Sequence, residues 1–288
     1  MSQIVYLNGR FVGVDEASVS IFDGGWLHGA GLFETMRWEN GRVFRLNAHH
    51  SRLQASAAKL LRPMEPSELP SPSVYRELAE RNSLDNARIR LTVTSGSVSP
   101  NGAAEMPSLT VCATAAALAS YPASAFDTGV AVVICTFHQS KQDPLAGHKC
   151  TSYLARLLGM REAQQARCTE ALWFNTENHL AEGSISNVFV VREGVVQTPP
   201  LDTPVLPGIA RGVVLELVRS LGVGFADMPL SVDDLLDADE VFLTNSIMQV
   251  LPVVRVERHD IRDAKVGPIT RQLQAAYRQL VEAECKRS

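Results

Sequence analysis

The chain has 288 residues, 45% of them hydrophobic and 20% charged, and a net charge of −4. This is enough chain for one large or two moderate domains with real cores, and the composition is that of an ordinary globular protein. No stretch gathers the lysines and arginines that a nucleic-acid partner needs, no run of about 18 apolar residues crosses a membrane, and Met1 to Tyr6 lacks a basic-then-apolar leader, so a cytoplasmic protein is expected. Cys112, Cys135, Cys150, Cys168 and Cys285 are scattered without a CxxC pair, which points to neither a disulfide framework nor a metal site.

In chain order, Ile4 to Leu7, the turn Asn8-Gly9 and Phe11-Val12 read as a hairpin, followed by an extended run to Ser20. Phe22 to Arg37 holds four glycines beside aromatics, a loop that lets backbone pass close to something before a strand begins. Val43 to Leu46 reads as strand, and Asn47 as the cap of a helix through Arg52 and Leu61. A Pro/Ser-rich break over Pro63 to Pro72 precedes a helix over Val74 to Asn82. Strands over Ala87 to Thr94 and Ser108 to Ala113 then flank a loop from Ser95 to Pro107.

The small-residue stretch Ala115 to Thr128 reads as the bridge to a second half. The boundaries expected are a smaller domain over 1–118, a linker over 119–128 and a larger domain over 129–288. Val130 to Ile134 is an apolar strand. Lys149 sits in Asp143-Pro144-Leu145-Ala146-Gly147-His148-Lys149-Cys150, between a small-residue turn and a helix carrying Leu154, Leu157, Leu158 and Met160. Strands over Ala171 to Phe174 and Val188 to Val191 flank Leu180 to Asn187, where Glu182 stands among small hydroxyl and amide residues, in what reads as a polar turn. Leu206-Pro207-Gly208-Ile209-Ala210-Arg211 opens a helix, and its N-terminal amides form a ready anion site. Strand Glu240 to Leu243 runs into Thr244-Asn245-Ser246, and a last helix covers Ile269 to Ala283.

These pieces suit pyridoxal phosphate. Lys149 offers an amine for its aldehyde, and Glu182 a carboxylate to keep its ring nitrogen protonated. Gly208 to Ala210, Ser246 and Arg52 offer amides, a hydroxyl and a fixed cation for its phosphate. No Walker loop, GxGxxG or HExxH motif supports a competing cofactor or a metal.

Phe33-Glu34-Thr35-Met36-Arg37, His49-His50-Ser51-Arg52-Leu53, Lys149, Glu182 to Asn187, Leu206 to Arg211 and Thr244-Asn245-Ser246, in this order, closely resemble the fold type IV pyridoxal phosphate enzymes. That family holds branched-chain aminotransferases, D-amino acid aminotransferases and aminodeoxychorismate lyases. The resemblance implies a two-domain α/β (α+β) fold like that of D-amino acid aminotransferase, with the cofactor in the cleft and a homodimer completing the site. It also implies a Schiff base on Lys149, Glu182 on the pyridine nitrogen and Leu206 against the ring. Arg52, Ile209, Ala210 and Ser246, with Gly208 and Asn245 beside them, are its phosphate contacts.

Within the family, Leu145 to Lys149 and Asn245 to Val253 look like aminodeoxychorismate lyases, which make 4-aminobenzoate and pyruvate for folate biosynthesis. Thr35 stands where branched-chain enzymes usually carry glycine, and its hydroxyl suits proton relay during loss of pyruvate. The lyase is therefore the leading expectation, with a branched-chain or D-amino acid aminotransferase as alternative and a non-catalytic binding protein as an alternative of another class. Arg90 is expected to meet a substrate carboxylate, with Phe33 and His28 lining the substrate pocket. The loop Ser95 to Gly102 matches no subgroup, and Tyr153 stands one residue nearer the lysine than the tyrosine of branched-chain enzymes.

Overall fold

This computed structural model describes residues 2–98, 108–118, 121–203 and 205–286. Residues 99–102 of the loop that matches no subgroup lie outside the described residues. The chain divides into two compact units, one of residues 1–119, 148–152 and 282–288, the other of residues 120–147 and 153–281. Both mix helices with a sheet, as the α/β expectation required.

The first unit contains β1 (Ile4–Leu7), β2 (Arg10–Gly13), α1 (Gly24–His28), β3 (Gly31–Glu39), β4 (Arg42–Val43), α2 (Leu46–Leu60), α3 (Pro72–Arg81), β5 (Asn86–Thr94) and β6 (Thr110–Ala117). Its sheet has the order β2-β1-β6-β5-β3-β4. Along β3 and β5 side chains alternate between two faces. Leu32, Met36, Ile89, Leu91 and Val93 pack with Leu53 and Ala57 of α2 and Tyr75 and Leu78 of α3 to form the core. Phe33, Thr35, Arg88, Arg90 and Thr92 fall on the other face, and the antiparallel register sets Thr35 opposite Arg90 and Phe33 opposite Thr92.

Two local readings are corrected here. Asn47 does not cap α2: Arg45 turns the chain in a left-handed conformation, φ 55°, so the helix starts at Leu46 and leaves Asn47 exposed inside its first turn. Part of the glycine-rich loop is helical, because Asp23 closes the first turn of α1 by accepting the Gly25 N–H at 2.7 Å. A β-carbon on Gly31 would run into Thr151, and one on Gly29 into Ser152. What this backbone approaches is therefore the segment that follows Lys149.

The second unit contains α4 (Ala123–Thr128), β7 (Val130–Ile134), α5 (Leu154–Gln165), β8 (Glu170–Phe174), β9 (Leu180–Gly183), β10 (Asn187–Arg192), β11 (Val195–Thr198), α6 (Ile209–Ser220), β12 (Gly224–Asp227), α7 (Val232–Leu236), β13 (Glu240–Asn245), β14 (Gln249–Val256), β15 (His259–Asp260) and, as far as Val281, α8 (Pro268–Glu284). Its sheet runs β12-β11-β10-β13-β14-β7-β8-β9, with β15 on β14. The pairs β7–β8, β7–β14 and β11–β12 are parallel. Strands β8, β10 and β13 read as apolar runs because both faces are covered. The polar turn expected at Leu180 is strand β9, and all four of its residues, Glu182 included, are buried. None of the described helices is long and apolar enough to cross a membrane.

Candidate active site

In the first unit, residues 148–152 run beside β3, with one isolated antiparallel bridge between Leu32 and Cys150. The Phe33 N–H donates to the Lys149 carbonyl at 2.9 Å and the Thr151 N–H to the Gly31 carbonyl at 2.8 Å. Lys149 is thus anchored beside β3 through its own carbonyl. Its Nζ lies 4.6 Å from the centre of the Phe33 ring, and the Arg90 guanidinium lies 3.7 Å from the same centre. The electron-rich faces of one buried aromatic ring attract both cations, and Arg90 Nε also donates to Thr92 Oγ1 at 3.2 Å. The structure therefore brings Phe33, Lys149 and Arg90 together, with half-buried Thr35 across from Arg90 in register. His28, expected to line the substrate pocket, ends α1 exposed, and no described contact ties it to this group.

On the core face of β3, buried Glu34 accepts from Arg52 Nε at 2.8 Å, Arg52 Nη2 at 2.5 Å and His49 Nδ1 at 2.7 Å. Burial opposes ionisation of Glu34, but the adjacent Arg52 charge and the hydrogen bonds from His49 and Arg52 outweigh it and bring its pKa down to about 2. An ionised carboxylate only accepts, so His49 Nδ1 carries the proton; burial also lowers the His49 pKa and keeps the ring neutral. Arg52, the expected phosphate cation, is held bidentately in one orientation.

In the second unit the carboxylate of Glu182, 4% exposed, is held at both oxygens. Arg156 Nη2 donates to Oε1 at 2.5 Å and the Leu206 N–H to Oε2 at 2.9 Å. Asn187 Nδ2 donates to the Leu206 carbonyl at 2.9 Å, so β9, β10 and the entrance to α6 are tied around one acid. Gly208 is the N-cap of α6 and brings no side-chain cap to the amides of its first turn. Asn245 Oδ1 accepts from the Ile247 and Met248 N–H groups at 2.9 and 2.8 Å, which fixes the turn that presents half-buried Ser246. The Tyr153 hydroxyl donates to the Ser184 carbonyl at 3.2 Å.

Sequence reasoning missed the supporting residues Glu34, His49, Arg156 and Glu170. Glu170 opens the apolar strand β8 and is buried; its Oε1 accepts from the Ile185 N–H at 2.6 Å and Ser186 Oγ at 2.9 Å. An acid at the front of a wholly apolar strand was the available signal. Arg156 looks like any charge on an amphipathic helix, and only the fold discloses its partner.

The donor set fits pyridoxal phosphate: a primary amine beside a strand, a buried ionisable carboxylate with a fixed counter-charge, an uncapped helix entrance and an oriented guanidinium.

Residues 31–256 match the family model described as amino-transferase class IV. The chain is 32% identical over 281 residues to a Methanocaldococcus jannaschii protein named "Putative branched-chain-amino-acid aminotransferase", covering 96% of each. It is 30% identical over 282 residues to the D-alanine aminotransferase of Staphylococcus aureus, covering 97% of this chain and 98% of that one. Among solved structures it is similar to the T.th. branched-chain amino acid aminotransferase with pyridoxamine 5'-phosphate (TM-score 0.89, 28% identity, 98% of this chain and 95% of that one). It is also similar to a "Putative 4-amino-4-deoxychorismate lyase" of Legionella pneumophila (TM-score 0.80, 27% identity, 91% and 95% covered). With a family model spanning most of its length and these relatives along nearly all of it, the chain belongs to the class IV aminotransferases and is a pyridoxal phosphate-dependent enzyme.

Proposed function

We propose that this enzyme transfers the amino group of a carboxylate-bearing amino acid to a keto acid. The observation that carries this reading is the stacking of Arg90 and Lys149 on one ring, which sets a carboxylate-binding guanidinium beside the reactive amine. The bound cofactor supplies an aldehyde for amine exchange and a ring that withdraws electrons from the α-carbon. Lys149 Nζ would hold the aldehyde carbon and, as a free amine, would act as general base for the α-carbon proton. Glu182 keeps the proton on the ring nitrogen, and Leu206 packs against the ring. Arg52, Ser246 and the amides of Ile209 and Ala210, at the entrance that Gly208 and Asn187 shape, hold the phosphate, and Asn245 supports Ser246. We further propose a homodimer working in the cytoplasm.

A second reading, loss of pyruvate from aminodeoxychorismate, keeps the same Lys149 and Glu182 roles and adds the Thr35 hydroxyl as proton relay. Its support is Thr35 opposite Arg90 and the likeness to the Legionella pneumophila protein. The assay separates them: amino-acid turnover that depends on 2-oxoglutarate or pyruvate as acceptor supports the transaminase, and pyruvate formed from aminodeoxychorismate without acceptor supports the lyase. Absence of both activities from enzyme whose cofactor can be fixed to Lys149 by borohydride overturns both. The binding-protein alternative requires a chain in which no cofactor is fixed at Lys149 and Lys149→Ala changes no spectrum.

A further inference from the structure

We propose that Arg156 is a positioning residue that holds Glu182 oriented toward the ring nitrogen, and so sets how strongly the cofactor withdraws electrons. The inference rests on the reading that Glu182 faces that nitrogen. Burying a carboxylate is costly unless a fixed opposing charge accompanies it, and only a charged carboxylate keeps the ring nitrogen protonated. The opposing charge here is a guanidinium, which does not lose its proton in proteins.

Several groups fix that guanidinium. Besides Glu182 Oε1 at 2.5 Å, Nη2 donates to Gln139 Oε1 at 3.2 Å, and Nη1 donates to the Gly183 carbonyl at 3.2 Å. Its Cζ lies 4.7 Å from the centre of the Trp173 ring, whose Nε1 donates to Ser184 Oγ at 2.9 Å. The arrangement reaches from α5 to β8 and β9 and grips the carboxylate oxygen that the Leu206 amide does not. A charge serving only solubility needs none of these contacts.

A second buried acid, Glu170, lacks that direct bond. Glu170 is 1% exposed, its Oε2 has no hydrogen-bond partner among the described residues, and burial pushes its pKa up to about 7 although the Ile185 amide, the Ser186 hydroxyl and then Arg156 oppose the rise. Of the two acids, Glu182 is the one bonded to the guanidinium.

The test uses holoenzyme carrying cofactor labelled with nitrogen-15 in the ring, with thermal melting of each variant as the folding control. Arg156→Met is expected to move the ring-nitrogen NMR signal toward the unprotonated position and to lower kcat at least tenfold, with the KM for the amino acid changed less than threefold. Arg156→Lys retains charge without the two-pronged grip and should fall between. Should Arg156→Met fail to fold, Gln139→Leu removes one support of the guanidinium and is expected to shift the same signal less. An unmoved nitrogen signal in the variants that fold, or a loss confined to KM, overturns the proposal. Glu182→Gln separates the premise: if it leaves the ring nitrogen protonated, the assignment of Glu182 fails and this inference with it, whereas a shift in Glu182→Gln without one in Arg156→Met sinks only the role of Arg156.

Discussion

Glu34 and Arg52 face each other across β3 and α2 with two hydrogen bonds, Arg52 Nε to Oε1 at 2.8 Å and Nη2 to Oε2 at 2.5 Å. The pair is nearly dry, since the Glu34 side chain is 1% exposed and that of Arg52 10%. Removing one partner of such a pair leaves the other buried without compensation. Glu34→Ala is expected to cost about 3 kcal/mol or more in chemical denaturation at pH 7. The pH dependence has a definite sign. The folded pKa, about 2, lies below the ordinary 4.5, so the stabilisation is complete above about pH 4.5 and disappears as the pH falls toward 2. Wild type and Glu34→Ala should therefore converge below pH 3, and parallel denaturation curves across the whole range would refute the pairing. Cofactor affinity should fall in the same variant, because Arg52 loses the partner that orients it.

Glu170 behaves in the opposite sense. Its folded pKa is raised from the ordinary 4.5 to about 7, chiefly by burial. Below pH 4.5 both folded and unfolded chains carry the proton and nothing is lost. Between pH 4.5 and 7 the unfolded chain ionises more readily, so this group increasingly destabilises the fold. Glu170→Gln stays neutral and keeps an oxygen for the Ile185 amide. Its stability relative to wild type should rise by about 3 kcal/mol between pH 4.5 and pH 8. Equilibrium unfolding at the two ends of that window is the measurement, and a difference that does not change with pH would show that Glu170 is not a buried proton carrier.

Gly208 tests the phosphate entrance. A β-carbon there would collide with Asn187 Oδ1, and the backbone, φ −65°, is one that alanine readily adopts. The damage of Gly208→Ala therefore acts through displacement of Asn187, which ties down the Leu206 carbonyl. We expect about tenfold weaker cofactor binding on reconstitution of apoenzyme, and a loss on the order of 1–2 kcal/mol in stability. Unchanged cofactor affinity would remove the α6 entrance from the phosphate site.

What could be read in the sequence followed the range of the interactions. The hairpin turn Asn8-Gly9, the apolar strands β8, β10 and β13 and helix α6 are set by local chemistry and were legible. Strand β9 was not, because the feature that allows an acid there, a guanidinium 26 positions away on α5, is invisible to periodicity. The same holds for Lys149. Its place beside β3 depends on Gly29 and Gly31 giving room to Thr151 and Ser152, a contact spanning more than a hundred residues. The glycines signalled a close approach without naming its partner. Family resemblance supplied Lys149, Glu182 and Arg52 as a set; the residues that hold them, Glu34 and Arg156, came only from the fold.

Arg90 makes the last prediction, on substrate recognition. Its guanidinium lies over Phe33, 3.7 Å from the ring centre, and Thr92 Oγ1 accepts from its Nε. A guanidinium held in this way presents a fixed fork to a carboxylate, whereas lysine offers a single mobile point charge and stacks less well. Arg90→Met is expected to raise the KM for the amino acid at least tenfold while kcat falls less than threefold, the pattern of binding lost equally in ground and transition states. Arg90→Lys should recover only a small part, and Phe33→Leu should reproduce a milder form of the same defect by removing the surface on which the guanidinium lies. An amine substrate lacking the carboxylate should be indifferent to all three substitutions. Equal loss for substrates with and without a carboxylate would instead make Arg90 a support for Lys149 through their shared ring, and the carboxylate would have to be sought elsewhere.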